Sequence, residues 1–252
     1  MNCIICGNQV QENSIEHIVP ESMGNKHYTL ELGSICRTCN NSFSSFEQRA
    51  LSDGILAMAR PIGAHLTKKK KPAKGQSHGI RFEGNPNSIE NRVTVFGLNE
   101  DNVQEVKPDG SVVVTIQDFE KNVVPVCKLI LKIGLESLYQ SQRKIFNSTD
   151  LSLVKNYLDK KSNVDWPLVT TALKPADFIS IPRFRDKLAL KKIKCEIRYK
   201  NVNAQTLLIN FRYNFLSYLV NIVDRNVDWV DEYKAKDPTI GIYSIPKQKS
   251  RS

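Results

Sequence analysis

Four cysteines in two Cys-x-x-Cys pairs, Cys3/Cys6 and Cys36/Cys39, stand near the start of this 252-residue chain. Paired thiolates at that spacing are the donor set of a closed tetrahedral zinc site. Between the pairs lies Glu16-His17-Ile18-Val19-Pro20, and the second pair runs directly into Asn40 and Asn41. A metal clip at the cysteines pulls His17 and Asn40 together in space although they are far apart in sequence. An imidazole titrates near neutrality and can take a proton from water. A carboxylate and an amide oxygen are hard donors suited to Mg²⁺ or Mn²⁺. A divalent ion and a general base facing a phosphodiester make a minimal hydrolytic site.

Taken together, Cys3-x-x-Cys6, Glu16-His17-Ile18-Val19-Pro20 and Cys36-x-x-Cys39-Asn40-Asn41 resemble the zinc-bearing branch of the HNH endonucleases, whose fold is the ββα-metal motif. The resemblance covers about residues 1–50. It implies a DNA endonuclease in which His17 activates the attacking water. It also implies that Glu16 and Asn40 bind a catalytic Mg²⁺ or Mn²⁺ that stabilises the leaving 3′-oxygen, with Cys3, Cys6, Cys36 and Cys39 holding structural zinc. The sequence departs from the family at the middle motif position, usually Asn, which falls near Glu31. Asn25 in the intervening turn, or a backbone carbonyl, is the expected substitute, and Asn41 takes the place of Asn40 if the register shifts by one. A role in defence against foreign DNA is compatible with the resemblance. The alternative from another class is a non-catalytic, zinc-stabilised nucleic-acid-binding or adaptor protein, in which Glu16 and His17 serve structure.

The elements that must position these groups follow from pattern. Ser14 to Val19 is strand-like, Pro20 ends the extended run and Gly24-Asn25-Lys26 signals a turn. Tyr28 to Ile35 returns as a second strand. From Cys39 to about Leu51 the spacing of Phe43, Phe46 and Ala50 predicts a helix, capped by Thr38 or Asn40. Zinc is then a major part of the folding free energy of so small a module.

The expected fold class is α+β: a zinc-bound ββα-metal nuclease module at 1–53, a basic linker or loop at 54–79, and a larger α+β domain at 80–252 of DNA-binding or regulatory role. A short apolar helix is expected from Ile55 to Ala59, and residues 67–79 read as an exposed, mobile loop. Strands are expected at Ile80–Phe82, Arg92–Phe96, Ser111–Ile116, Lys194–Tyr199 and Thr206–Phe211. Helices are expected at Val123–Tyr139, with an amphipathic stripe, and at Leu151–Leu158. The apolar run Phe215–Val223 fits either state. No catalytic constellation is visible after residue 54.

The apolar and charged fractions, 40% and 25%, are ordinary for a globular protein. No apolar run approaches the ~20 residues of a membrane span and no secretory signal is visible, so a cytoplasmic location without membrane partners is expected. Cys127 and Cys195 read as buried small hydrophobes. The formal charge is +10; three basic and six acidic residues in 1–53 make that module −3, leaving +13 for the rest. A basic balance of that size favours DNA as partner, and Lys68, Lys69, Lys70, Lys71 and Arg37 are the candidate phosphate contacts, with His27 in the turn as a further one. A regulatory protein or a second copy of the chain is the other expected partner.

Overall fold

In the computed structural model, residues 1–11, 15–52, 55–67, 69–77, 79–114, 123–159, 166–171, 176–182, 184–237 and 240–243 are described. The chain forms two compact units. One comprises Met1–Glu47 with Val123–Ser252, the other Gln48–Asn122. These units cut the chain elsewhere than at 53 and 80. In the larger unit the N-terminal residues are tied to the helix that begins at Val123, by Lys132 to Glu16, Tyr28 to Ser141 and Ser34 to Tyr139.

The larger unit is organised around α3 (Val123–Ser141), in which 16 of 19 residues are buried. The expected one-sided stripe is therefore replaced by burial all round, as for a helix inside a core. On one side α3 meets a six-stranded sheet in which every pairing is antiparallel. Its strands are β6 (Leu168–Thr170), β7 (Ile179–Ser180), β8 (Cys195–Asn203), β9 (Thr206–Tyr213), β10 (Leu216–Asn221) and β11 (Gly241–Tyr243), in the order β11-β6-β10-β9-β8-β7. Gly134 permits the close approach of α3: a Cβ there would lie 2.9 Å from Ile209 Cγ1. Leu208, on the opposite face of β9, packs with Val169, Leu219 and Trp229, Val230 and Tyr233 around α7 (Val230–Lys234). With both faces covered, β10 reads as a continuous apolar run, which is why alternation could not reveal it as a strand. Asn214, at φ 53°, starts the two-residue turn that joins it to β9.

Short helices α4 (Arg143–Ser148), α5 (Ser152–Asp159) and α6 (Phe184–Lys192) complete this unit. Cys127 and Cys195 are buried, as expected, and so are Trp166 and Trp229.

The smaller unit contains the end of α1 (Arg37–Ser52), α2 (Ile55–Ile62), a meander of β1 (Lys74–Ser77), β2 (Ile80–Gly84) and β3 (Val93–Phe96), and a hairpin of β4 (Val103–Val106) and β5 (Val112–Val114). α2 continues through Pro61 to Ile62, three residues past the expected end. β1 passes so close to it that a Cβ on Gly75 would lie 2.2 Å from the Ala57 carbonyl oxygen. The expected mobile loop at 67–79 is overturned in part, because 74–77 pairs with β2. Before it, Leu66 bridges Pro72 and the Thr67 N–H donates to the Lys71 carbonyl at 2.8 Å, so Lys69, Lys70 and Lys71 belong to a closed turn. Lys68 and His78 lie outside the described residues.

Candidate active site

Cys3 to Cys6 forms a tight knuckle, in which the Gly7 N–H donates to the Cys3 carbonyl at 3.0 Å. The Ile4 N–H donates to the Ser34 carbonyl at 2.9 Å, tying the knuckle to the run that enters the second cysteine pair. Helix α1 starts at Arg37, two residues before the expected start. Cys36 rather than Thr38 or Asn40 serves its first turn: its sulfur accepts the Cys39 N–H at 3.4 Å and its carbonyl the Asn40 N–H at 3.0 Å. One residue thus supplies both a metal donor and a helix start.

The four sulfurs of Cys3, Cys6, Cys36 and Cys39 lie within 4.8 Å of one another, with Cys6 and Cys36 at 3.7 Å. A tetrahedron with Zn–S of about 2.3 Å places sulfurs about 3.8 Å apart. The donor set and its spacing fit a zinc ion. Within the cluster the hydrogen bond from Cys39 is the main cause holding the Cys3 thiol down at about 4, while Cys39 is pushed up.

The expected two-strand hairpin reduces to one bridge, His17 to Thr29. It is flanked by Leu30 N–H to Glu16 carbonyl at 2.9 Å and Ile18 N–H to Tyr28 carbonyl at 3.2 Å. The second strand ends early because the Ser34 N–H turns back to the Glu31 carbonyl around Gly33. The buried Asn25 amide clamps the turn. It donates to the Val19 and Tyr28 carbonyls at 2.7 and 2.8 Å, and its oxygen accepts from the His27 and Tyr28 N–H groups. Asn25 is therefore spent on the turn and does not orient His17. Glu31 is also engaged elsewhere: its N–H donates to Gln140 Oε1 and its carboxylate pairs with Arg143.

Glu16 is 7% exposed, and its carboxylate accepts a hydrogen bond from Lys132 Nζ. The same ammonium donates to the His17 carbonyl at 3.2 Å, lies 2.8 Å from Glu47 on α1 and 3.4 Å from Glu136 one turn along α3. Three acidic side chains thus surround one cation. Burial raises Glu16, an effect that Lys132 opposes. Burial also drives Glu136 well above the usual carboxylate range. Burial by itself would lower Lys132, but Glu136, Glu16 and Glu47 outweigh it and the ammonium is held protonated.

His17 is half-buried, and its Nδ1 is buried without a hydrogen-bond partner among the described residues. Asn40 is half-buried in the first turn of α1. Asn40, Phe43 and Glu47 share a stripe at i, i+3 and i+7, and Glu47 sits about 10 Å further along the axis. Asn41 is exposed. Lys69, Lys70, Lys71, Arg37 and His27 are exposed as well, the first three in the smaller unit.

Lys132, Glu136 and Glu47 were not among the residues singled out from the sequence. Their signal was present: Lys128, Lys132 and Glu136 recur every fourth residue in an otherwise apolar helix, a polar stripe that needs a polar counterpart.

Residues 3–55 match a family model described as HNH endonuclease. That bears out, over this stretch, the resemblance carried by the motifs, and it supports a nuclease in general. The N-terminal module is HNH-like with four cysteines placed to hold a metal, and a larger α+β region follows. No curated protein and no solved structure matches the chain. Among the described residues no helix is long and apolar enough to cross a membrane.

Proposed function

We propose that this protein is a metal-dependent DNA endonuclease whose general base is His17. The observation that carries the reading is an imidazole whose enclosed Nδ1 has no hydrogen-bond partner among the described residues, next in sequence to Glu16, in the segment between the two cysteine pairs that form the four-sulfur cluster. With Nδ1 enclosed, Nε2 is the nitrogen left to take the proton of an attacking water. Glu16 and Asn40 are the donors for Mg²⁺ or Mn²⁺, which when bound supplies charge stabilisation at the leaving 3′-oxygen. The second oxygen of Glu16 and the Asn40 amide make no hydrogen bond among the described residues, so both can serve a ligand. Lys132 holds Glu16 by its other oxygen and His17 by its carbonyl, fixing the dipeptide to α3. Lys69, Lys70, Lys71 and Arg37 are phosphate contacts in this reading, and a cytoplasmic role against foreign DNA is its widest form.

One observation favours a second reading. Glu16 is committed to an internal cation, as a non-catalytic zinc-stabilised binding protein would have it. Incubation of single- and double-stranded DNA with the zinc-loaded protein and Mg²⁺ or Mn²⁺ separates the two. The nuclease reading expects cleavage that ceases in His17→Ala, and the binding reading expects none from either.

A further inference from the structure

Helix α6 turns its larger apolar side chains the wrong way for a helix that only covers a core. Leu190 is its buried anchor, yet Phe184 is 81% exposed and Leu188, one turn on, 47% exposed. The same helix carries Arg185, Lys191 and Lys192, all exposed. With Phe184 and Leu188 they line an open groove of about 1060 Å³, which His27 of the hairpin turn also lines. Asp186 is the acidic side chain of the lining and is half-buried. Arg185, Lys191 and Lys192 have no carboxylate partner among the described residues. The groove therefore combines three cations that form no salt bridge among the described residues with an exposed aromatic ring. Such a combination suits a ligand that alternates phosphates with flat apolar faces.

We propose that this groove binds a single strand of nucleic acid, its phosphates on Arg185, Lys191 and Lys192 and a base stacked on Phe184. His27 stands two residues before Thr29, the bridge partner of His17, so a strand in the groove passes the hairpin that carries the candidate base. That consequence rests on the nuclease reading; the binding itself does not.

The test uses the full-length, zinc-loaded protein carrying His17→Ala, so that the probe survives, and fluorescence anisotropy with a labelled single-stranded oligonucleotide over a range of salt. Arg185→Ala/Lys191→Ala/Lys192→Ala is expected to weaken binding at least about tenfold and to flatten the slope of log affinity against log salt by roughly 2, about 0.7 per lost contact. Phe184→Ala is expected to weaken binding on the order of tenfold with the slope unchanged. Zinc content and melting temperature report folding, and if the triple variant melts early, Phe184→Ala alone decides.

Unchanged affinity in these variants overturns the proposal, as does failure of the His17→Ala protein to bind the oligonucleotide at all. It is also overturned if Lys69→Ala/Lys70→Ala/Lys71→Ala abolishes binding while the α6 variants do not. Loss confined to phosphatidylserine vesicles would assign the surface to a membrane instead. If the unsubstituted protein never cleaves DNA but the α6 variants lose binding, the nuclease reading falls and the groove stands. If it cleaves and the α6 variants bind normally, the groove alone falls.

Discussion

Lys132 on α3 donates a hydrogen bond to the carboxylate of Glu16, 116 residues away in sequence, and to the carbonyl of His17 next to it. The ammonium is fully buried and has Glu47 and Glu136 as further neighbours. Removing the one cation leaves the acidic groups of Glu16, Glu47 and Glu136 without it, and breaking a buried ion pair from one side costs about 3–5 kcal/mol. Lys132→Met is expected to lower the melting temperature by roughly 10 °C and to reduce DNA cleavage even when assayed well below the transition. Calorimetry and cleavage rates on the same preparation check both. Unchanged stability would mean that the ammonium is not the anchor of this cluster.

Glu136 makes stability depend on pH. Its folded-state pKa is raised well above the ordinary 4.5 by burial. The folded protein therefore keeps a proton that the unfolded chain gives up, and stability falls as pH rises from the ordinary carboxylate range through the raised value. Glu136→Gln cannot ionise. The expected outcome is a stability difference in favour of the variant that is small near pH 4.5 and widens as pH rises. The comparison is made between the two proteins at each pH, because zinc loss in acid affects both alike.

Zinc is expected to govern part of the larger unit and not all of it. The hairpin is held to the cysteines by few backbone bonds, whereas the six-stranded sheet has its own core around Val169, Leu208, Leu219 and Trp229. Chelation, or Cys39→Ser, is expected to abolish stoichiometric zinc binding and to open the segment between Cys6 and Cys36 to proteolysis, while far-ultraviolet circular dichroism retains most of its signal. Complete unfolding on chelation would contradict this division.

Much of the site was legible because its chemistry is local. The two cysteine pairs declare their own geometry, and Phe43, Phe46 and Ala50 are all buried on one side of α1 as their spacing requires. The partnership of Glu16 was not legible, since nothing near Glu16 in sequence names a lysine 116 positions on. Only the unexplained polar stripe of α3 pointed to it. The middle motif role could not be read either: Asn25 satisfies the turn and Glu31 pairs with Arg143, so neither serves His17. In the rest of the fold, β1, β4, β6, β7 and β11, two to four residues long, are too short to show a period, while β8 and β9 were found by alternation, β9 because Asn210 and Arg212 interrupt its apolar residues. β10 was not, because burial on both faces erases that period.

The most direct measurement is the rate at which zinc-loaded protein cleaves labelled DNA with Mg²⁺ or Mn²⁺, compared with His17→Ala of equal zinc content and melting temperature. Loss of a general base costs about 10²–10⁴-fold, so His17→Ala is expected to fall at least a hundredfold below the unsubstituted protein. Equal rates from the two proteins, with zinc and fold intact, would contradict the assignment of His17 as the base.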